Sequence, residues 1–239
     1  MTAGENTPKT EKRIAPIKWV LLGVVYLVIP AILWLCAGTV RWWQSWVFAV
    51  LIVLAGYCGR ILAERRHPGL MAERTEPIAR EDVKPWDRIL SPLMSVTVSF
   101  PLVIVAGLDH RFGWSAALPL WLNLLGLLLI ALGYGFAVWA LVENKFFSGV
   151  VRIQTDRGHS VCDSGPYRIL RHPGYAGEIL ALAGVVLALS SWWTALPALV
   201  ALVVTVLRTA LEDRTLRSEL PGYQQYAERV RYRLLPGIW

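Results

Sequence analysis

Four long apolar runs constrain the fold of this chain more than any other feature of its sequence. They cover Trp19 to Cys36, Trp43 to Cys58, Ile89 to Leu108 and Leu118 to Leu141. A helix needs about 20 apolar residues to cross the hydrocarbon core of a bilayer, and each run is close to that length. The whole chain is 55% hydrophobic and only 17% charged, whereas soluble domains have about 25% charged residues. The sequence therefore predicts an integral membrane protein.

A further apolar region, from Tyr175 to Val206, is too long for one ordinary span. Ser190, Ser191, Trp192 and Trp193 interrupt it. We therefore predict two short helices joined by a tight turn, although hydropathy alone leaves open whether this region crosses the membrane once or twice. The expected fold is an all-α bundle of about six transmembrane helices.

The positively charged residues predict the orientation of these helices. Of the 24 lysines and arginines, only Arg41 and Arg111 fall in the short connections on one side of the predicted membrane. Loops rich in Lys and Arg stay in the cytosol. We therefore expect both termini, the segment from Arg60 to Arg88 and the segment from Lys145 to Arg171 to be cytosolic.

Composition also argues against two classes of function. The net charge of +7 comes from cations that flank apolar runs and form no continuous stripe, so membrane topology explains them and nucleic-acid binding is not predicted. The three cysteines, Cys36, Cys58 and Cys162, lack the spacing of metal ligands. Neither a metal site nor a disulfide framework is predicted.

The first sixteen residues are polar and precede the first apolar run without a small-residue cleavage site. We therefore predict that residues 1–16 form a cytosolic tail. The remaining chain shows no disordered linker, so residues 17–239 are predicted to form a single membrane-embedded domain.

The stretch from Gly165 to Gly177 is the only dense cluster of turn-forming, cationic and polar aromatic residues in the chain. Pro173 disfavours helical backbone at His172, which predicts a turn there. Tyr167, His172 and Tyr175 then bring two phenols and an imidazole together. Such groups suit the adenine, ribose and carboxylate of a bound small molecule. Interfacial tyrosines and a capping histidine explain the same residues equally well from physics alone.

A small cytosolic hairpin is predicted just before this stretch. Val150 to Gln154 alternates in polarity, which favours a short strand. Asp156 to Gly158 can reverse the chain, and His159 to Cys162 can return as a second strand. Asp163 to Pro166 then provides a helix start with proline at the first position.

Arg208 and Glu212 are spaced i and i+4 at the cytosolic end of the last apolar run, so both project from one helix face. A surface salt bridge is the simpler explanation, but such a pair contributes only about 0.3–0.5 kcal/mol. An arginine at the edge of an apolar span is better explained by binding of an anionic substrate group. We expect the adjacent Asp213 and Arg214 to be ordinary solvated charges.

Two separated motifs carry a family resemblance. The first comprises Gly165-Pro166-Tyr167, Arg171-His172-Pro173, Tyr175 and Gly177, and the second comprises Arg208, Glu212, Leu216, Tyr223, Tyr226, Arg229-Val230 and Pro236. With these motifs the chain resembles the isoprenylcysteine carboxyl methyltransferase family and the related membrane phospholipid methyltransferases. The resemblance extends over residues 143–239.

The resemblance implies an S-adenosyl-L-methionine pocket, formed by residues 143–239 from the hairpin and the C-terminal helix and open to a lipophilic or lipidated acceptor within the membrane lipid. Arg208 and Glu212 are implied as catalytic residues, with Arg208 binding the acceptor, and no metal is implied. The residues implied to contact the methyl donor are Gln154, His159, Ser160, Val161, Cys162, Tyr167, His172, Pro173, Gly174, Tyr175 and Glu212. A carboxylate acceptor is the preferred prediction, and a thiol or an amine remains open.

Two other classes of function fit parts of the sequence. Membrane sterol and isoprenoid reductases share a similar Arg-His-Pro plus Tyr motif and a closing pattern matched by Val230, Tyr232, Arg233 and Pro236, which would imply a nicotinamide cofactor. A non-enzymatic membrane scaffold is the other alternative. The short chain and the spacing of Arg208 and Glu212 favour the methyltransferase. The oligomeric state is left open.

Overall fold

The computed structural model describes residues 14–75, 78 and 80–239, and these residues form helices joined by turns and irregular segments. No β-strand occurs among them, which confirms the predicted all-α class. Most of the predicted tail, residues 1–13, lies outside the described residues. The α-helices are α1 Pro16–Ala37, α2 Trp43–Val53, α3 Gly59–Arg66, α4 Leu70–Arg74, α5 Asp87–Thr97, α6 Phe100–Phe112, α7 Leu120–Glu143, α8 Pro173–Ala188, α9 Ala195–Glu219 and α10 Tyr223–Arg229.

Within the described ranges, five helical segments are long and apolar enough to cross a membrane, and they contain the four predicted runs except for Leu118 and Pro119, which precede α7. They are Pro16–Ala37, Trp43–Arg66, Asp87–Phe112, Leu120–Glu143 and Ala195–Glu219. Helix α8 is also apolar but has 16 residues, or about 24 Å of helix. The last apolar region is therefore two helices, as predicted. The second of them is not short, because α9 continues for 25 residues.

Proline and glycine mark the helix ends as the sequence suggests. The residue before Pro173, His172, has a non-helical backbone with φ −127° and ψ 60°, and α8 begins directly after it. At the other end of the bundle, Gly38 ends α1 with φ 66°, and its N–H donates to the carbonyl of Trp34 over 2.9 Å. A left-handed residue of this kind is a common helix stop.

Helices α7 and α8 pack closely because glycines face each other. A Cβ atom on Gly133 would lie 2.4 Å from the carbonyl oxygen of Gly177, and one on Gly126 would lie 2.3 Å from the backbone nitrogen of Ala188. A Cβ atom on Gly135 would meet no other atom within 4 Å. Gly126 and Gly133 therefore pack within the bundle, and their spacing is explained without a second copy of the chain.

The two ends of the helix bundle differ in their arginine content. Arg41 follows α1, and Arg111, near the end of α6, lies beside Gly38. At the opposite end, residues from 67–75, 80–86, 144–172 and 213–239 meet through side chains such as Arg152 with Glu73 and Arg171 with Asp213. We call this second end the arginine-rich end, and it contains the candidate site.

The predicted hairpin is wrong, although the chain does reverse where expected. His159 N–H donates to the carbonyl of Gln154 over 3.2 Å, and Gly158 closes the turn with φ 64°. The backbone of Val151, however, pairs with other partners. Its carbonyl accepts from Lys84 N–H over 3.0 Å and its N–H donates to the Asp87 carboxylate over 2.6 Å. Residues 150–154 therefore dock on the segment before α5, and this leaves no strand pairing with residues 159–162.

Candidate active site

A cavity at the arginine-rich end lies between the loop after α7, the start of α8 and the last turns of α9. Its volume is about 90 Å³. The lining residues are Asn144, Phe146, Phe147, Ser148, Val150, Val151, Arg152, Gln154, His159, Tyr167, His172, Gly174, Tyr175, Arg208, Glu212 and Leu216.

The structure brings most of the predicted site residues to this cavity. Those that line it are Gln154, His159, Tyr167, His172, Gly174, Tyr175, Arg208 and Glu212.

Four predicted residues lie outside the lining. Ser160 is exposed, Val161 packs against a cluster that includes Tyr223, and Cys162 lies beside Ser164. Pro173 is buried in the first turn of α8. Contacts of these four residues with a methyl donor stay predictions.

Arg208 is held by a buried carboxylate that the sequence did not reveal. Its Nε and Nη2 atoms donate to the two carboxylate oxygens of Asp87 over 2.6 and 3.1 Å. The Arg208 side chain is 4% exposed and the Asp87 side chain is 0% exposed. A bidentate pair of this geometry fixes the plane of the guanidinium. Asp87, at the start of α5, therefore sets the direction in which Arg208 faces the cavity.

The remaining donors of Arg208 are almost fully used. Nη2 also donates to the carbonyl of Gly149 over 2.9 Å, and Nη1 donates to the hydroxyl of Tyr175 over 2.6 Å. The second Nη1 hydrogen has only the sulfur of Met94, at 3.9 Å. A guanidinium carries five N–H groups, and this is the one of Arg208 that has no oxygen acceptor in the described part of the chain.

Tyr175 links Arg208 to Glu212. Its hydroxyl accepts from Arg208 and donates to Oε2 of Glu212, both over 2.6 Å. Arg208 and Glu212 on α9 therefore interact through Tyr175 of α8. They form no direct ion pair with each other. The hydroxyl orients both charged groups at the wall of the cavity.

The prediction that Asp213 is a solvated charge is wrong, because this residue is 0% exposed. Helix α10 and the segment after it fold back over α9 and cover this carboxylate. Asp213 accepts hydrogen bonds from Arg171 over 2.7 Å, Arg233 over 2.8 Å and Tyr223 over 3.1 Å. The ring of His172 lies 3.3 Å away. The Arg-His-Pro motif is thus anchored from behind the cavity, and His172 presents the other side of its ring to the lining. Arg214 is exposed, as expected.

The loop over the cavity is anchored by Arg152. Its guanidinium is 0% exposed and bonds to Glu73, Asp82 and Asp156 at 2.7–2.9 Å. The hydrogen bond from Arg152 holds the pKa of the Asp156 carboxyl below its usual value. Glu73 and Asp82, which precede α5, therefore help to fix the loop that lines the cavity.

Gln154 and His159 form the inner part of this loop. The amide of Gln154 is buried and donates to the carbonyl of Phe146 over 2.8 Å, so its side chain is already engaged. The ring of His159 packs on Phe146 with centroids 4.6 Å apart. Burial, together with the charges of Arg152 and Arg157, lowers the pKa of His159 to about 4. The imidazole is therefore neutral at physiological pH.

These residues suit a ligand that carries a sulfonium cation. The rings of Phe146, Phe147, Tyr167 and Tyr175 line the cavity, and aromatic faces attract cations. Glu212 contributes a carboxylate, whereas the neutral His159 adds no repulsion. Gly174 admits this arrangement, because a Cβ there would lie 2.9 Å from the ring of Phe147.

Sequence reasoning missed the residues that support the site. The pair Phe146-Phe147 was a detectable signal, since two large aromatics follow a span in an otherwise polar loop. Asp87 gave no signal, because its partner Arg208 lies 121 residues further along the chain.

Comparison with known proteins agrees with the resemblance. The sequence model of the phospholipid methyltransferase family matches residues 121–220. Two rice proteins, from Oryza sativa subsp. indica and subsp. japonica, are each described as a probable protein-S-isoprenylcysteine O-methyltransferase. Each is 25% identical over 143 residues, which are 59% of this chain and 68% of the relative.

These matches favour the predicted methyltransferase over the reductase and the scaffold. The matched range contains Tyr175, Arg208 and Glu212, which meet at the cavity. The comparisons support a relationship of this chain to the isoprenylcysteine carboxyl methyltransferases and the phospholipid methyltransferases, and they indicate that it is a methyltransferase.

Proposed function

We propose that the chain is an S-adenosylmethionine-dependent methyltransferase that methylates the carboxylate of a lipophilic or amphipathic acceptor at the cytosolic surface of a membrane. The observation that carries this proposal is the chain of hydrogen bonds from Arg208 through Tyr175 to Glu212 at the wall of the cavity. It places one cationic and one anionic group within reach of a bound pair of molecules.

Glu212 and the aromatic rings are the residues proposed to hold the methyl donor. When bound, S-adenosylmethionine supplies a methyl group on a positively charged sulfur. Glu212 balances part of that charge, and Phe146, Phe147 and Tyr175 offer ring faces to it. Tyr175 keeps the carboxylate of Glu212 in place by its hydrogen bond.

Arg208 is the residue proposed to orient the acceptor. The Nη1 hydrogen that faces Met94 can donate to a carboxylate oxygen, and the bidentate contact with Asp87 holds the guanidinium still while it does so. Fixed orientation and exclusion of water are the main contributions that such a site can make. A carboxylate needs no proton removed before it attacks a methyl group, so this assignment requires no general base.

The hydrogen bonds of the site favour a carboxylate over a thiol or an amine. Those acceptors lose a proton during methylation and so need a base. Glu212 already accepts a hydrogen bond from Tyr175, and Nε2 of His172 faces Asp213. Both groups are therefore already engaged by one hydrogen-bond partner, whereas a carboxylate acceptor requires no base.

The position of the cavity supports an acceptor that arrives from the membrane. Arg208 and Glu212 lie on α9, one of the helices long and apolar enough to span a bilayer. The arginine-rich end would face the cytosol under the positive-inside rule. A prenylated cysteine with a free carboxyl group has the required chemistry, with an apolar tail for the bilayer and an anion for Arg208.

The test compares donor binding with turnover in purified protein. S-adenosylmethionine binding is measured by calorimetry, and methyl transfer is measured with farnesylcysteine carrying a free or an amidated carboxyl group. We expect Arg208→Lys to bind the donor nearly as well as wild type and to turn over about 100-fold more slowly. Arg214→Lys, on the exposed face of the same helix, should behave like wild type.

A second variant protects this test against misfolding. Tyr175→Phe keeps the ring and removes only the hydroxyl between Arg208 and Glu212, so it should fold and show reduced donor affinity and turnover. Wild-type turnover in both Arg208→Lys and Tyr175→Phe, or equal methylation of the amidated acceptor, would refute the proposed roles.

A further inference from the structure

A second cleft at the arginine-rich end lies apart from the methyl-transfer cavity. It has a volume of about 310 Å³. Four arginines line it, Arg171, Arg217, Arg231 and Arg233, together with Tyr232, Gly237, Ile238 and Trp239. They come from three parts of the chain, namely the turn before α8, the end of α9 and the segment after α10.

The charges in this cleft are strongly unbalanced. Arg171, Arg217 and Arg233 all bond to one carboxylate, that of Asp213, at 2.7, 3.2 and 2.8 Å. Arg231 has no ion pair within the described part of the chain. Three of the four arginines therefore share a single side-chain carboxylate. The Arg171 side chain is 2% exposed, so water screens this repulsion poorly, and an added anion would relieve it.

A phosphate group is the anion that this arrangement suits. Guanidinium groups form paired hydrogen bonds with phosphate oxygens, and several guanidiniums can share one phosphate. The outer arginines are free to turn toward such a group, because the Arg217 side chain is 44% exposed and Arg231 is also exposed. Asp213 keeps the two inner arginines in place behind them.

The surroundings of the cleft indicate that the phosphate belongs to a lipid. Ile238, which lines the cleft, is 79% exposed, and the nearby Leu235 is 48% exposed. Arg171 stands two residues before Pro173, where the apolar helix α8 begins. The cleft thus lies at the level where an apolar helix leaves the bilayer, and basic pockets at that level are known to receive anionic headgroups.

We propose that this cleft binds the phosphate of an anionic phospholipid headgroup. The site is separate from the methyl-transfer cavity and does not depend on the acceptor assigned to it. Since His172 lines that cavity and also contacts Asp213, a bound headgroup would steady the wall that the two sites share.

Native mass spectrometry of the full chain in detergent tests the proposal. The protein is incubated with equal amounts of phosphatidylglycerol and phosphatidylcholine of matched chain length. We expect a retained phosphatidylglycerol adduct that is several times more abundant than the phosphatidylcholine adduct. The double variant Arg217→Gln/Arg231→Gln leaves Asp213 paired with Arg171 and Arg233, so it should fold. It should bind phosphatidylglycerol about 25-fold more weakly, from about 5-fold for each arginine.

Two controls make the result decisive. Arg214→Gln removes the same charge from an exposed position of α9 outside the cleft and should bind phosphatidylglycerol like wild type. Inorganic phosphate at the same concentration, measured by thermal protection, tests a soluble source. Equal adducts of the two lipids, wild-type binding by the double variant, or protection by inorganic phosphate that matches phosphatidylglycerol would each overturn the lipid assignment.

Discussion

Asp87→Asn is the substitution that tests the architecture of the site most directly. It keeps the shape of the side chain and removes the charge that faces Arg208. An asparagine has only one acceptor oxygen, whereas Asp87 accepts from Nε of Arg208, from Nη2 of Arg208 and from Val151 N–H. The variant therefore places an NH₂ group against another donor and leaves the guanidinium without its counterion.

The expected loss follows from the burial of both partners. The side chains of Asp87 and Arg208 are 0% and 4% exposed, and breaking a buried ion pair by removing one partner costs about 3–5 kcal/mol. For a chain of this length 1 kcal/mol corresponds to about 2–4 °C in the unfolding midpoint. Asp87→Asn should therefore lower the midpoint by roughly 6–20 °C.

The assay is thermal unfolding in detergent, with Asp82→Asn as the matched control. Asp82 also bonds to arginines, but its side chain is 42% exposed, so its loss should cost only about 0–1 kcal/mol. A double-mutant cycle with Arg208→Met isolates the pairing from the burial of each group. A shift no larger than that of Asp82→Asn, or a cycle with no coupling, would refute the claim that Asp87 holds Arg208.

Two further predictions concern helix packing and pH. Gly133→Ala should destabilise the protein, since its Cβ would lie 2.4 Å from the carbonyl oxygen of Gly177. Gly135→Ala should not, since nothing lies within 4 Å of a Cβ there. Equal unfolding midpoints for the two variants would contradict the packing. Burial lowers the pKa of His159 to about 4 from an ordinary value of 6.5, so the unfolded chain takes up this proton first as the pH falls. Wild type should therefore lose stability between pH 6.5 and pH 4, and His159→Gln should lose less over that range; parallel pH profiles of the unfolding midpoint would exclude this contribution.

The membrane helices were predictable because their signal is local. A run of about 20 apolar residues needs no partner to be recognised, and apart from Leu118 and Pro119 the four runs lie within the observed helical segments. Tyr175 was also predictable, because it belongs to a compact motif. Arg208 and Glu212 were predictable from their i, i+4 spacing on one helix. Their convergence on one cavity is what the structure adds.

The errors concern contacts between distant parts of the chain. Asp213 seemed to continue α9 into solvent, and its burial depends on Arg233 and on the return of α10 over the helix. The strand predicted for residues 150–154 relied on alternation, which cannot show that Lys84 and Asp87 occupy the backbone of Val151. Local patterns identify a segment, but they do not identify the partner that it packs against.

The contact between Asp87 and Arg208 also bears on how relatives of this chain diverge. The stretch that matches the phospholipid methyltransferase family, residues 121–220, includes Arg208 but not Asp87. A protein with the same motifs and a neutral residue in place of this aspartate would lack the counterion that holds this guanidinium. If Arg208 orients the acceptor as proposed, substitution outside the shared region would change acceptor preference among proteins whose motifs are identical.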